Sequence, residues 1–197
     1  VSANPYEGTR KPGTIGQVIM QTEVLLLDKE DPAVIAPDGE PGELALHGPQ
    51  VMRGYWNRPE ASKDIFVEHL GKTWLRTGDV ATVDADGFLE IVDRIKDMIA
   101  VGGFKVFPSQ VEDVLLEHEA VKEALVIGRP DAYHGEMPVA YVTLKAGHEA
   151  SGEQLKQWLN ARVGKHERAD AVVIREDLPK TMIGKLDRKA LRAEVLD

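Results

Sequence analysis

Lys185 closes the run Leu178-Pro179-Lys180-Thr181-Met182-Ile183-Gly184-Lys185. A lysine behind a loop punctuated by Pro and Gly can carry a compact positive charge to a phosphate or a developing oxyanion. A surface lysine is the plainer explanation. Asp79 ends Arg76-Thr77-Gly78-Asp79, which reads as a polar turn with a carboxylate at its tip. A carboxylate that accepts from vicinal hydroxyls is one way of holding a ribose; a plain Asp turn fits the four residues as well. Gly102 and Gly103 lie between apolar residues in Ala100–Phe104. Paired glycines permit positive φ or a close approach of backbone to ligand, and a tight hairpin satisfies the same pattern. Gly48–Glu60 is dense in glycine and aromatic residues, including Tyr55 and Trp56, and could be core or ligand wall.

Generic fingerprints are missing. No Gly-x-Gly occurs, so there is no dinucleotide loop. Gly71-Lys72-Thr73 ends like a phosphate-binding loop, but Phe66 stands where glycine is required, and Gly184-Lys185 is followed by Leu186. The six histidines have no metal-ligand spacing beside acidic partners, so no metal site is expected from this chain. With no cysteine, thiolate catalysis, disulfides and Cys-ligated zinc are excluded.

The elements that must position these residues follow two grammars. Up to residue 93 the chain reads as short strands cut by turns. Gln17–Met20, Glu23–Leu27, Glu43–His47 and Phe88–Val92 have strand character, with turn signals at Pro37-Asp38-Gly39 and Asp84–Gly87 and a short helix at Pro59–Ile65. Beyond residue 94 helices enter. Ser109–Glu112 and Ser151–Gln154 both have the capping-box pattern. Val111, Val114, Leu115 and His118 then share a helical face, as do Leu155, Trp158 and Leu159. Val121–Ile127, Val139–Leu144 and Ala171–Ile174 read as strands, and Ala190, Leu191 and Val195 as a last helix. The expectation is an α+β chain: a β-rich segment over 1–93, a hinge at 94–97, and a small α+β domain over 98–197.

The 197 residues are 43% hydrophobic, which is ample for a core. Net charge is −9, an unfavourable balance for nucleic acid or an anionic membrane surface. The charge is uneven: residues 151–197 hold 10 basic and 8 acidic side chains, residues 1–150 hold 14 and 25. No apolar run exceeds four residues, so no transmembrane helix or signal core is expected, and a cytoplasmic location is.

Taken in order, these motifs resemble the C-terminal portion of the adenylate-forming (acyl-activating) superfamily. The carrying residues are Gly54-Tyr55-Trp56 with Pro59-Glu60, Trp74-Leu75 with Thr77-Gly78-Asp79, Asp93–Ile99 with Gly102-Gly103, and Leu178–Thr181 with Gly184-Lys185. Within it, Asn4-Pro5-Tyr6 with Gly13, Ile15 and Gly16, and the stretch from Trp74 to Asp97, look most like long-chain fatty acid–CoA ligases (acyl-CoA synthetases).

The resemblance implies that a carboxylic acid, ATP and Mg2+ give an acyl-adenylate, which coenzyme A converts to a thioester and AMP. It implies roles by position: Lys185 for catalysis of adenylation, Asp79 and Arg94 for nucleotide, Lys96 for the hinge of a mobile small domain, and Gly102 and Gly103 for passage of the CoA arm. His166-Glu167-Arg168-Ala169 departs from the family's Tyr-Lys-x-Pro, and Leu186-Asp187-Arg188-Lys189 from its Arg-Arg. The family's phosphate-gripping loop is not in this sequence, which begins with Val1. The expectation is therefore the last piece of a large AMP-binding domain followed by the small one. Its partner is the remaining N-terminal part of the same enzyme, and the isolated chain is inactive. The alternatives are a ligase for an aryl or short-chain acid, and a non-catalytic interaction module built on this fold.

Overall fold

A computed structural model describes residues 1–196 and divides the chain into two compact units, Val1–Lys96 and the segment from Asp97 onward.

The first unit is an antiparallel sheet. Its elements are β1 (Ser2–Ala3), β2 (Gly16–Val18), β3 (Glu23–Leu27), β4 (Gly42–His47), α1 (Pro59–Lys63), β5 (Phe66–His69), β6 (Lys72–Val83) and β7 (Phe88–Arg94). The strands lie in the order β1-β2-β7-β6-β4-β3, with β5 also on β6. Alternation divides the side chains between two faces. Leu44, Leu46, Ala81 and Leu89 pack with Val18, Val24 and Leu26, while Leu27, Ala45 and Trp74 pack with Leu25 and Val67. The indole N–H of Trp74 donates to the His69 carbonyl at 2.9 Å, so the largest buried side chain leaves no polar atom unpaired.

The sequence places a turn at Arg76–Asp79; the structure carries β6 through it as a bulge, with Gly78 at φ +74°. Glu43 is the reason. It is 2% exposed on β4 and accepts from Arg76 Nε (2.9 Å) and the Gly78 N–H (3.1 Å), so the polar stretch is satisfied inside the sheet. The Thr77 hydroxyl donates to the Leu44 carbonyl at 2.8 Å.

The second unit contains β8 (Ile99–Val101), β9 (Phe104–Val106), α2 (Pro108–Leu116), β10 (Val121–Asp131), β11 (Gly135–Leu144), α3 (Gly152–Asn160), β12 (Ala171–Ile174) and α4 (Arg188–Leu196). The sheet order is β10-β11-β8-β9, with β12 parallel to β11. The central pair is apolar on both faces. Ala124, Val126, Ala140 and Val142 face Val111, Leu115, Leu155 and Leu159 of α2 and α3. Leu125, Ile127, Val139 and Tyr141 face Leu178 and Leu191, the latter on α4.

The Ser151–Gln154 capping box forms in full: the Gln154 N–H donates to Ser151 Oγ, and Gln154 accepts the Ser151 N–H. At Ser109–Glu112 the helix starts elsewhere than the pattern places it. Pro108, with its fixed φ, starts α2 a residue early and Phe107 becomes the cap, without a side-chain bond. Glu112 accepts from the Val126 N–H (2.7 Å) and Arg188 (2.6 Å).

Candidate functional site

In the first unit the structure brings Asp79 and Arg94 together. They are opposed residues of β6 and β7, and Arg94 Nε lies 2.8 Å from Asp79 Oδ1. Both side chains stay substantially open, at 33% for Asp79 and 51% for Arg94. The Asp79 N–H donates to Thr77 Oγ1 at 3.1 Å, and that hydroxyl donates in turn to the Leu44 carbonyl of β4. Asp79 thus presents a carboxylate with a free oxygen edge beside a guanidinium, the donor and acceptor pair that a sugar hydroxyl and a phosphate call for. Tyr55 and Trp56 are 49% and 89% exposed, so this motif is not core. Lys96 is exposed, in the single 3-10 turn Ile95–Asp97 that ends the first unit.

In the second unit Gly102 and Gly103 form the two-residue turn between β8 and β9. Their φ angles of +56° and +88° match a type I′ hairpin. The hairpin explanation therefore accounts for both glycines. A Cβ built on Gly103 meets nothing within 4 Å, so the space over the turn is open. Beside it the ring of Phe104 stacks on His166, with centroids 3.5 Å apart and planes 16° off parallel. His166 thus contributes a half-buried imidazole to a pair with the exposed ring of Phe104.

Lys185 lies on a different hairpin of the same unit. The segment expected as a mobile loop is closed by hydrogen bonds. The Thr181 N–H donates to the Lys185 carbonyl (2.7 Å), the Lys185 N–H to Thr181 Oγ1 (3.2 Å), and the Asp187 N–H to the Pro179 carbonyl (2.8 Å). Leu178 and Leu191 fix its two feet in the core. The two lysines of this hairpin differ sharply. Lys180 Nζ is 2.9 Å from Glu123 and 3.3 Å from Asp177, and these carboxylates, Glu123 first, raise its pKa above the ordinary lysine value. Lys185 is exposed and has no ion-pair partner among the described residues.

Two further features were not legible in the motifs. Glu43 carries no local signal beyond a charge in an otherwise apolar strand. Arg188 is 16% exposed and reaches Val126 O (3.0 Å), Glu112 (2.6 Å) and Asp97 (3.4 Å), joining the first residue of the second unit to the helix that follows the Lys185 hairpin. Among the described residues no group of three or more His, Asp or Glu side chains comes together to hold a metal ion, and no helix is long and apolar enough to cross a membrane.

Two family models match the chain: AMP-binding enzyme over residues 1–56, and AMP-binding enzyme C-terminal domain over residues 110–185. A long-chain-fatty-acid–CoA ligase of Escherichia coli O6:H1 is 41% identical over 194 residues, 98% of this chain. The chain belongs to the adenylate-forming enzymes. It spans about a third of the length of the curated relatives it matches, 33% of the E. coli ligase. A 4-coumarate–CoA ligase of Vanilla planifolia is 37% identical over 94% of the chain and 33% of its own length. Among solved structures, ATP-bound MatB from Rhodopseudomonas palustris superposes with a TM-score of 0.92 at 31% identity, over the whole of this chain and 38% of that one. The mixed α and β architecture is that of the C-terminal portion of the adenylate-forming fold.

Proposed function

We propose that this chain is the C-terminal part of an ATP-dependent acyl-CoA ligase whose acid substrate is a fatty acid. In the first step a carboxylate oxygen attacks the α-phosphorus of ATP; pyrophosphate leaves with its Mg2+ and an acyl-adenylate forms. In the second step the thiolate of coenzyme A attacks the acyl carbon and AMP leaves.

The reading assigns Val1–Lys96 to the end of the large AMP-binding domain and the unit from Asp97 to the small one, with Lys96 as the hinge. Asp79 accepts from the ribose hydroxyls while Arg94, already paired to it, donates to the nucleotide. Gly102 and Gly103 leave room for the pantetheine arm. Lys185 offsets the charge that builds between the attacking carboxylate and the α-phosphate. The observation that carries this reading is the contrast between the two hairpin lysines: Lys180 is tied down by two carboxylates, and Lys185, on a braced hairpin, has no ion-pair partner among the described residues. The likeness to ligases named for long-chain fatty acids supports the choice of acid.

The test is ATP–pyrophosphate exchange by the full-length protein over acids of two to eighteen carbons and a set of aryl acids. Exchange that rises with chain length supports the reading. Exchange driven best by 4-coumarate or acetate replaces the fatty acid with another substrate, and no acid-dependent exchange defeats the proposal.

A further inference from the structure

The β8–β9 hairpin is held in the core by Ile99, Val101 and Val106, but its backbone has few bonds to the rest of the sheet. β8 touches β11 through one register pair, Gly135 with Val101, and β9 is the outermost strand on its side. Each strand is three residues long. Two bonds supply what the ladder does not. The Gly102 N–H donates to the His134 carbonyl at 2.8 Å, and the Ala100 N–H donates to Oε2 of Glu136 at 2.9 Å. The second comes from a side chain. A half-buried carboxylate with no ion-pair partner among the described residues is used on a neutral backbone amide. The carboxylate lies over Gly128 of β10: a Cβ built there would come within 2.8 Å of Glu136 Oε1 and 3.0 Å of Ile99 Cγ2, so a side chain at 128 would displace it.

We infer that Glu136 is a positioning residue for the thiol step. Standing in for a missing ladder acceptor, its carboxylate fixes the pitch of the β8–β9 hairpin and so the path that the Gly102–Gly103 turn offers to the pantetheine arm. This rests on the reading of Gly103 given above. The ammonium of Lys185 belongs to another hairpin, so adenylation does not depend on this bond. A misplacement of reacting groups by about an ångström is enough to slow a step strongly.

The experiment compares Glu136→Ala, which removes the acceptor, with Glu136→Gln, which keeps an amide oxygen at the same reach. On the 197-residue chain, NMR amide exchange at Ala100 is expected to quicken about tenfold in the Ala variant and little in the Gln variant, the scale of one bond to a charged acceptor. In the full-length protein the Ala variant should keep ATP–pyrophosphate exchange within about twofold and lose about tenfold or more in kcat/KM for coenzyme A; Gln should restore the thiol step. Equal losses in both steps, an unaffected thiol step despite faster Ala100 exchange, or a Gln variant as poor as Ala each overturn the inference. If the wild type shows no acid-dependent exchange, the proposed function falls and this inference with it. A normal wild type with an unaffected thiol step removes this inference alone.

Discussion

Glu43→Ala is the substitution whose cost the structure sets most directly. The side chain is 2% exposed and makes three bonds: Arg76 Nε at 2.9 Å, the second guanidinium nitrogen at 2.8 Å, and the Gly78 N–H at 3.1 Å. Truncation leaves the Gly78 amide without its acceptor and Arg76 without its counter-charge. Breaking a buried pair from one side costs about 3–5 kcal/mol. Arg76 is 27% exposed and keeps its bond to the Asp64 carbonyl, so water solvates part of the orphaned charge, and about 3 kcal/mol is expected. Glu43→Gln keeps one acceptor and should cost about half of that, roughly 1.5 kcal/mol. The assay is urea unfolding followed residue by residue by NMR over the first unit. With a slope of about 1.5 kcal/mol/M, the Ala variant should lower the midpoint by about 2 M. In a double-mutant cycle with Arg76→Ala the coupling should reach about 1.5 kcal/mol or more. A midpoint shift under about 0.5 M would refute the reasoning, because the ion pair would then be no more than a surface contact.

Lys185→Ala in the full-length protein should slow acid-dependent adenylation by about 10²–10³ with little change in unfolding midpoint. Lys180→Ala is the control and should disturb local stability more than chemistry; the reverse ranking in the exchange assay would mean the wrong lysine was assigned. Gly103→Leu should impair the thiol step and spare adenylation. Part of its effect is strain of about 1–2 kcal/mol from a side chain at φ +88°, so Gly103→Asn, which tolerates that φ better, should be milder in thioester assays and in unfolding. Stability should fall in acid. Asp131 accepts the N–H groups of His134 and Tyr133, Asp84 pairs with Lys11 and accepts the Phe88 N–H, and Asp28 accepts from Asp31 and Glu30, each holding the carboxyl below its ordinary range. Their stabilisation is complete above about pH 4, the unfolded value, and is lost as pH falls through the lower folded values. Urea midpoints from pH 6 to pH 2.5 should show this, with a shallower decline for Asp131→Asn.

The parts of the fold that were legible in the sequence are those whose signals are local. Phe88–Val92 alternates and lies within β7, and Ser151 and Gln154 form their capping box within one turn. The misreadings have causes elsewhere in the chain. Arg76–Asp79 looks like a turn until Glu43, 33 residues before Arg76, is placed beside it inside the sheet. Ser109 has the type of a cap, but Pro108 has already begun the helix. Glu136 gives no hint of its role because Ala100 lies 36 residues away. The candidate site residues could be picked out by type and order, whereas the contrast between Lys180 and Lys185 needed Glu123, which no reading of the 178–185 motif contains.

Asp97 accepts from Arg188 and lies 3.8 Å from Arg192, so the first residue of the second unit is tied to the helix that follows the Lys185 hairpin. The Gly102–Gly103 hairpin is built onto the same sheet. On the proposed reading both tools ride on one block, like two bits on a single turret. If a given reaction centre is served by this block, a backbone turn at Lys96 that presents one tool must withdraw the other. Order in time then needs no messenger and no sensing of the intermediate: one rotation axis and a stiff body suffice. If the proposed function holds, softening the Asp97–Arg188 tie should blur the alternation between its two half-reactions before it weakens either of them.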